Sequence, residues 1–77
     1  MKTPPSSASH TRIRNNIRTL RFHRGQMTQQ QLADHVDLTR QTIIAIEQGR
    51  YSPSLEAAFK IARVFGLPLE QVFVYQD

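Results

Sequence analysis

The chain has 77 residues, a formal net charge of +4 and no cysteine. That length holds one domain whose core is marginal alone, so self-association is the expected reinforcement. Disulfides, thiol catalysis and cysteine-based zinc sites are excluded, and with no long apolar run or signal-like core the expectation is a soluble, cytoplasmic protein.

Residues 1–10 are rich in Pro and Ser and almost free of apolar side chains, and read as a flexible tail ahead of a domain over 11–77. From Ile13 the spacing turns helical, with Ile13, Ile17 and Leu20 on one stripe and Gly25 as the stop. Five arginines (Arg12, Arg14, Arg18, Arg21 and Arg24) crowd this first segment. They favour a polyanionic partner, nucleic acid ahead of an anionic membrane. Phe22 stands opposite the apolar stripe.

Thr28 followed by Gln31 is a capping box for a second helix carrying Leu32, Ala33 and Val36 on one face. Asp37 interrupts that run where a positive φ is tolerated, and Thr39 caps a third helix. At about 100° per residue Ile43 and Ile46 point one way, while Arg40, Gln41, Ile44, Ala45 and Gln48 fall on the other side. Arg and Gln pair with guanine and adenine edges, and an exposed Ile or Ala offers a methyl contact to thymine. Two short helices joined by a tight turn, the second so decorated, read as a helix-turn-helix.

After Gly49 and the loop Arg50-Tyr51-Ser52-Pro53, Ser54 caps a fourth helix with Leu55, Ala58, Ile61, Ala62 and Phe65 expected inside. Gly66 ends it, and Pro68 opens a short fifth helix with Leu69, Val72 and Phe73. The ending Val72-Phe73-Val74-Tyr75 is β-prone and apolar on both faces. It is expected to pair with residues near Thr11 to Ile13 or to cover a subunit interface.

Catalysis finds no support. His10, His23 and His35 lack metal-ligand spacing, Asp34 and Asp37 sit where solvated carboxylates are routine, and no phosphate-binding glycine loop or nucleophile elbow exists. The expectation is a protein that is not an enzyme, with no cofactor, metal, membrane or small-molecule substrate.

The runs T-Q-Q-Q-L-A-D-H-V, L-T-R-Q-T-I, I-E-Q-G-R-Y-S-P-S-L, K-I-A and L-E-Q-V-F together resemble the Cro/C1-type helix-turn-helix domain of the XRE transcriptional regulators, over roughly residues 12 to 73. The resemblance is to the small members of that family. It implies an all-α, five-helix domain, here with a short terminal β pairing, that binds double-stranded operator DNA as a homodimer with helix three in the major groove. In that frame Arg40, Gln41 and Ala45 fall where the family reads base edges, and Ile44 shares their face. Gln29 falls where it touches a phosphate. Arg50, Tyr51 and Ser52 match the loop that grips backbone, and Thr39, at the mouth of the reading helix, is counted with them. Arg21 and Glu47 match a structural ion pair between helices one and three.

There are two departures from the pattern: Asp37 stands where the family usually has Gly, and Gln26 lengthens the first loop by one residue. Ala45, short where relatives often carry a longer polar side chain, limits readout there to a methyl contact. The leading expectation is a homodimeric repressor reading an inverted-repeat operator, with Val72, Phe73, Val74 and Tyr75 at the dimer interface. The alternative is an antitoxin-type regulator that masks a toxin with the same apolar ending.

Overall fold

A computed structural model describes residues 11–77, so the expected tail over residues 1–10 lies outside the described residues. Along the chain run β1 (Ile13–Asn15), α1 (Ile17–His23), α2 (Gln29–Val36), α3 (Arg40–Glu47), α4 (Leu55–Phe65), α5 (Leu69–Val72) and β2 (Phe73–Tyr75). Five helices therefore enclose one core, and the two short strands pair antiparallel at its edge.

Local chemistry sets most boundaries. Thr28 Oγ1 accepts from the Gln31 N–H at 3.0 Å while Gln31 Oε1 accepts from the Thr28 N–H at 2.8 Å, closing the capping box of α2. Thr39 and Ser54 cap α3 and α4, each accepting at 3.1 Å from the N–H three residues on. Such a hydroxyl cap stabilises a helix start by about 1 kcal/mol. Asp37 ends α2 in the left-handed region at φ 62, ψ 42, and the N–H of Leu38 reaches back to the Ala33 carbonyl.

Ile17, Leu32, Val36, Ile43, Ile46, Ile61 and Val72 form the fully buried centre, one or two from each helix. Ala33, Ala58 and Ala62 are buried among them, small enough to let α2 approach α3 and α4 closely.

The first helix begins four residues later than the apolar stripe indicates. Ile13 lies in β1, not α1. The cause is local: Asn15 Oδ1 accepts from the Ile17 N–H at 3.2 Å, an Asx turn that starts the helix, while β-branched Ile13 joins the ladder with β2. Leu55 is also misassigned by the pattern. It is the first residue of α4 and 67% exposed, and the inward stripe of that helix begins with Ala57 and Ala58.

The terminal pairing joins Ile13 to Tyr75, Arg14 to Val74 and Asn15 to Phe73, up to two residues further along than Thr11 to Ile13. The Gln76 N–H donates to the Arg12 carbonyl at 2.7 Å and the Asn16 N–H to the Val72 carbonyl at 3.2 Å. By antiparallel alternation Arg14 and Val74 are the hydrogen-bonded pair, so Ile13, Asn15, Phe73 and Tyr75 turn their main-chain groups to the outer edges. The two edges differ. On β1 the Thr11 hydroxyl donates to the Ile13 carbonyl and accepts from the Ile13 N–H, while the Asn15 main-chain groups have no partner among the described residues. On β2 the Phe73 N–H is held by the Leu69 carbonyl, whereas the Phe73 carbonyl and both main-chain groups of Tyr75 have no partner among the described residues.

Candidate nucleic-acid interface

Helix α3 is fixed from below and at both ends. Ile43 and Ile46 anchor its inner face in the core. At its start the Thr39 hydroxyl is used twice, by the Thr42 N–H and by the Thr42 hydroxyl at 2.9 Å. Beyond its end Gly49 takes φ 75 and is buried. There the N-terminal segment straps the turn: the Thr11 N–H donates to the Gly49 carbonyl at 2.8 Å and Asn15 Nδ2 to the Ile46 carbonyl at 2.9 Å. The strap joins residues more than thirty positions apart and leaves no local pattern, although the pair Asn15-Asn16 ahead of an apolar stripe is a helix-start signal.

The outer face then presents Arg40 and Gln41 exposed, Ile44 and Ala45 half-buried, and Gln48 exposed. A shallow groove on one flank joins Gln41, Thr42 and Ala45 to Arg50 and Tyr51. Arg50 is held there by its Nε, which donates to Gln48 Oε1 at 2.8 Å and leaves the terminal guanidinium nitrogens free for a further acceptor. Tyr51 is half exposed. Ser52 does not share this groove. It lines an apolar depression with Ile13, Pro53, Leu55 and Phe73.

On the other flank lies the Arg21–Glu47 pair. Arg21 Nε and Nη2 donate to Glu47 Oε2 and Oε1 at 2.6 and 3.0 Å, a bidentate fork with both side chains largely buried. The added residue in the first loop is absorbed around the same arginine. The Met27 N–H donates to the Arg21 carbonyl at 2.9 Å, Arg21 Nη1 returns a bond to the Met27 carbonyl at 2.8 Å, and Gly25 and Gln26 take positive φ between them. Gln29, the first residue of α2, donates its Nε2 to Glu47 Oε1 at 3.1 Å and keeps a second amide hydrogen.

Of the four residues assigned to a dimer interface, Val72 and Phe73 are 1% and 9% exposed and belong to the protomer's own core. Their place in α5 and at the start of β2 turns them inward, leaving Val74 and Tyr75, 56% and 63% exposed, on the surface.

Two short helices at a tight turn, the second with one face buried and Arg40, Gln41 and Gln48 exposed on the opposite face, define a helix-turn-helix domain. The chain belongs to the helix-turn-helix family, of Cro/C1 (XRE) type, whose model matches residues 17–72. It is 50% identical over 60 residues to an uncharacterized HTH-type transcriptional regulator of Methanocaldococcus jannaschii, covering 75% of this chain and 91% of that one. It is 34% identical over 56 residues to the cryptic phage CTXphi transcriptional repressor RstR of Vibrio cholerae, covering 73% of this chain and 50% of the repressor. A crystal structure of a candidate DNA-binding protein from Bacteroides fragilis superposes with a TM-score of 0.68 at 22% identity, over 80% of this chain and 98% of that one. The last likeness is one of fold.

Proposed function

We propose that this protein is a sequence-specific DNA-binding transcription regulator, a homodimeric repressor that occludes a promoter by reading an inverted repeat through α3. The observation that carries the reading is the outer face of that helix. Arg40, Gln41, Ile44 and Ala45 share it, opposite the buried Ile43 and Ile46, with Arg50 and Tyr51 gathered on its flank. The relatives named as transcriptional regulators, one of them a repressor, support the same reading.

In this reading Arg40 and Gln41 supply the hydrogen-bonded recognition, each good base contact giving about 1–3 kcal/mol of discrimination. Ile44 and Ala45 add methyl contacts, and part of the specificity rests on DNA shape. Gln29, Thr39, Arg50, Tyr51 and Ser52 are the backbone set. Within it Gln29 and Arg50 are favoured, because each is pinned by one hydrogen bond and keeps donors to spare. Thr39 is left to offer its position at the helix mouth, its hydroxyl being engaged twice. Ser52, which lines an apolar depression and not the groove of Gln41, Arg50 and Tyr51, is the weakest member.

Selection of bound sequences from random DNA tests the function. Wild-type protein should enrich an inverted repeat with half-sites about 34 Å apart. Arg40→Ala should flatten preference at one base position of each half-site, whereas Arg50→Ala should weaken all sequences about equally. Unchanged specificity in Arg40→Ala would remove that face from the reading.

A second copy is favoured as the partner of the β2 edge. Antiparallel pairing of β2 with β2 about a two-fold axis at Tyr75 satisfies the Tyr75 N–H and carbonyl reciprocally and aligns the Phe73 carbonyl with the Asp77 N–H of the other copy. An antitoxin would offer the same edge to a different chain, and sedimentation of the purified protein as a monomer would favour that alternative.

A further inference from the structure

The reading helix and the unpaired edge of β2 belong to different parts of the fold. Helix α3 packs chiefly on α2, whereas β2 packs on β1 and α5. Apolar packing holds such parts together but is non-directional, so it does little to fix the angle between them. Hydrogen bonds are directional, and here they run through β1.

Strand β1 and its flanking residues are bonded on both sides. Toward β2 they carry the ladder, extended by the Gln76 N–H to the Arg12 carbonyl and by the Asn16 N–H to the Val72 carbonyl. Toward α3 they make two bonds from residues four positions apart. The Thr11 N–H donates to the Gly49 carbonyl at 2.8 Å and Asn15 Nδ2 to the Ile46 carbonyl at 2.9 Å. Both carbonyls lie at or just past the C-terminal end of α3, where the helix runs out of its own donors. Two points of attachment fix orientation as well as position. Asn15 is half-buried and bonded at both ends of its amide, because its Oδ1 accepts from the Ile17 N–H at 3.2 Å. The side chain that holds α3 is thus itself locked to the start of α1.

We propose that β1 is the ruler of the dimer: through Asn15 it sets the angle between the reading helix and the β2 edge, and so the half-site spacing that two copies of α3 accept. This rests on α3 reading DNA and on the two-fold pairing of β2. Asn15 is a positioning residue, acting through the Ile46 carbonyl. One base pair added between half-sites moves them apart by about 3.4 Å and rotates them by about 35°. A dimer with a fixed angle engages both half-sites at one spacing, and at neighbouring spacings falls toward the affinity of a single half-site.

The test uses synthetic duplexes carrying two inverted copies of the half-site that the wild-type protein selects, with the spacer changed one base pair at a time. Wild-type protein should bind its best spacer at least about tenfold more tightly than either neighbour. Asn15→Asp keeps the acceptor for the Ile17 N–H and loses the donor to Ile46. Its preference should fall to about threefold or less while it still sediments as a dimer. The ratio between spacers cancels any general effect of the added charge. Asn15→Ser, uncharged and able to cap the same N–H more weakly, should relax the spacing alike, and it carries the test alone if circular dichroism shows Asn15→Asp unfolded. Ser54→Ala, which removes the cap of α4 and leaves the strap intact, should keep the wild-type preference. A preference as sharp as the wild type's in either folded Asn15 variant, or an equal relaxation in Ser54→Ala, overturns the ruler and leaves the role of α3 intact. A wild-type protein that sediments as a monomer or binds all spacers alike overturns the two-fold pairing, and the ruler with it.

Discussion

At the scale of single residues, the largest consequence hangs on Arg21. Its guanidinium makes three of the bonds that tie α1, the first loop and α3 together, two to Glu47 and one to Met27. Removing one partner of a largely buried pair leaves the other charge without compensation, at a cost of several kcal/mol. Because the side chains remain 13% and 8% exposed, the low end of that range applies. Arg21→Met should therefore cost about 3 kcal/mol in urea denaturation, a large share of the stability a domain of this size possesses. Adding Glu47→Leu should recover part of it, and a double-mutant cycle showing simple additivity would contradict the pair. This ion pair followed from the family pattern alone. Its second function, steering Gln29, did not, because a side-chain bond between residues 18 positions apart leaves no periodic trace. The same holds for the arginines of the first segment, of which the fold places Arg18 and Arg21 in one groove with Glu47 and Gln48 at the end of α3.

At the scale of elements, helices were legible and strands only half so. Caps at Thr28, Thr39 and Ser54 are set by residues adjacent in sequence, and each forms as its chemistry dictates. The start of α1 depends instead on Asn15, which bonds to Ile46 in a distant helix, and on the ladder with β2. Tertiary pairing thus overrides the local apolar stripe at Ile13. The tight turn between α2 and α3 allows a quantitative check. Asp37 holds φ 62, where a side chain costs roughly 1–2 kcal/mol, somewhat less for Asp. Glycine there removes that strain but raises the entropy of the unfolded chain by roughly 0.5–1 kcal/mol. Relief of strain wins by a small margin, so Asp37→Gly should stabilise the protein by about 0.5 kcal/mol. Thermal unfolding would show this as a small rise in Tm, and a fall would mean that the Asp side chain rescues the turn by a bond of its own.

At the scale of the molecule the question is whether two copies close on each other. The ladder phase gives an unusually clean test, because Tyr75 turns its N–H away from β1. Proline at this position deletes an outward donor and keeps every bond within the protomer, and an edge strand accepts its fixed φ. In the proposed two-fold pairing the substitution removes one bond from each copy, about 2 kcal/mol together, or roughly thirtyfold in the dimer constant. Tyr75→Pro should thus sediment as monomer at concentrations where the parent is dimeric, while its thermal unfolding measured as a monomer stays close to the parent's. Tyr75→Phe, which leaves the main chain untouched, should remain dimeric. Operator binding links this to function. A monomer has one reading helix and loses the advantage of simultaneous half-sites, so Tyr75→Pro should bind a full inverted repeat little better than a single half-site. If Tyr75→Pro stays dimeric, the contact lies elsewhere on the surface and the unpaired edge of β2 is only the end of a short strand.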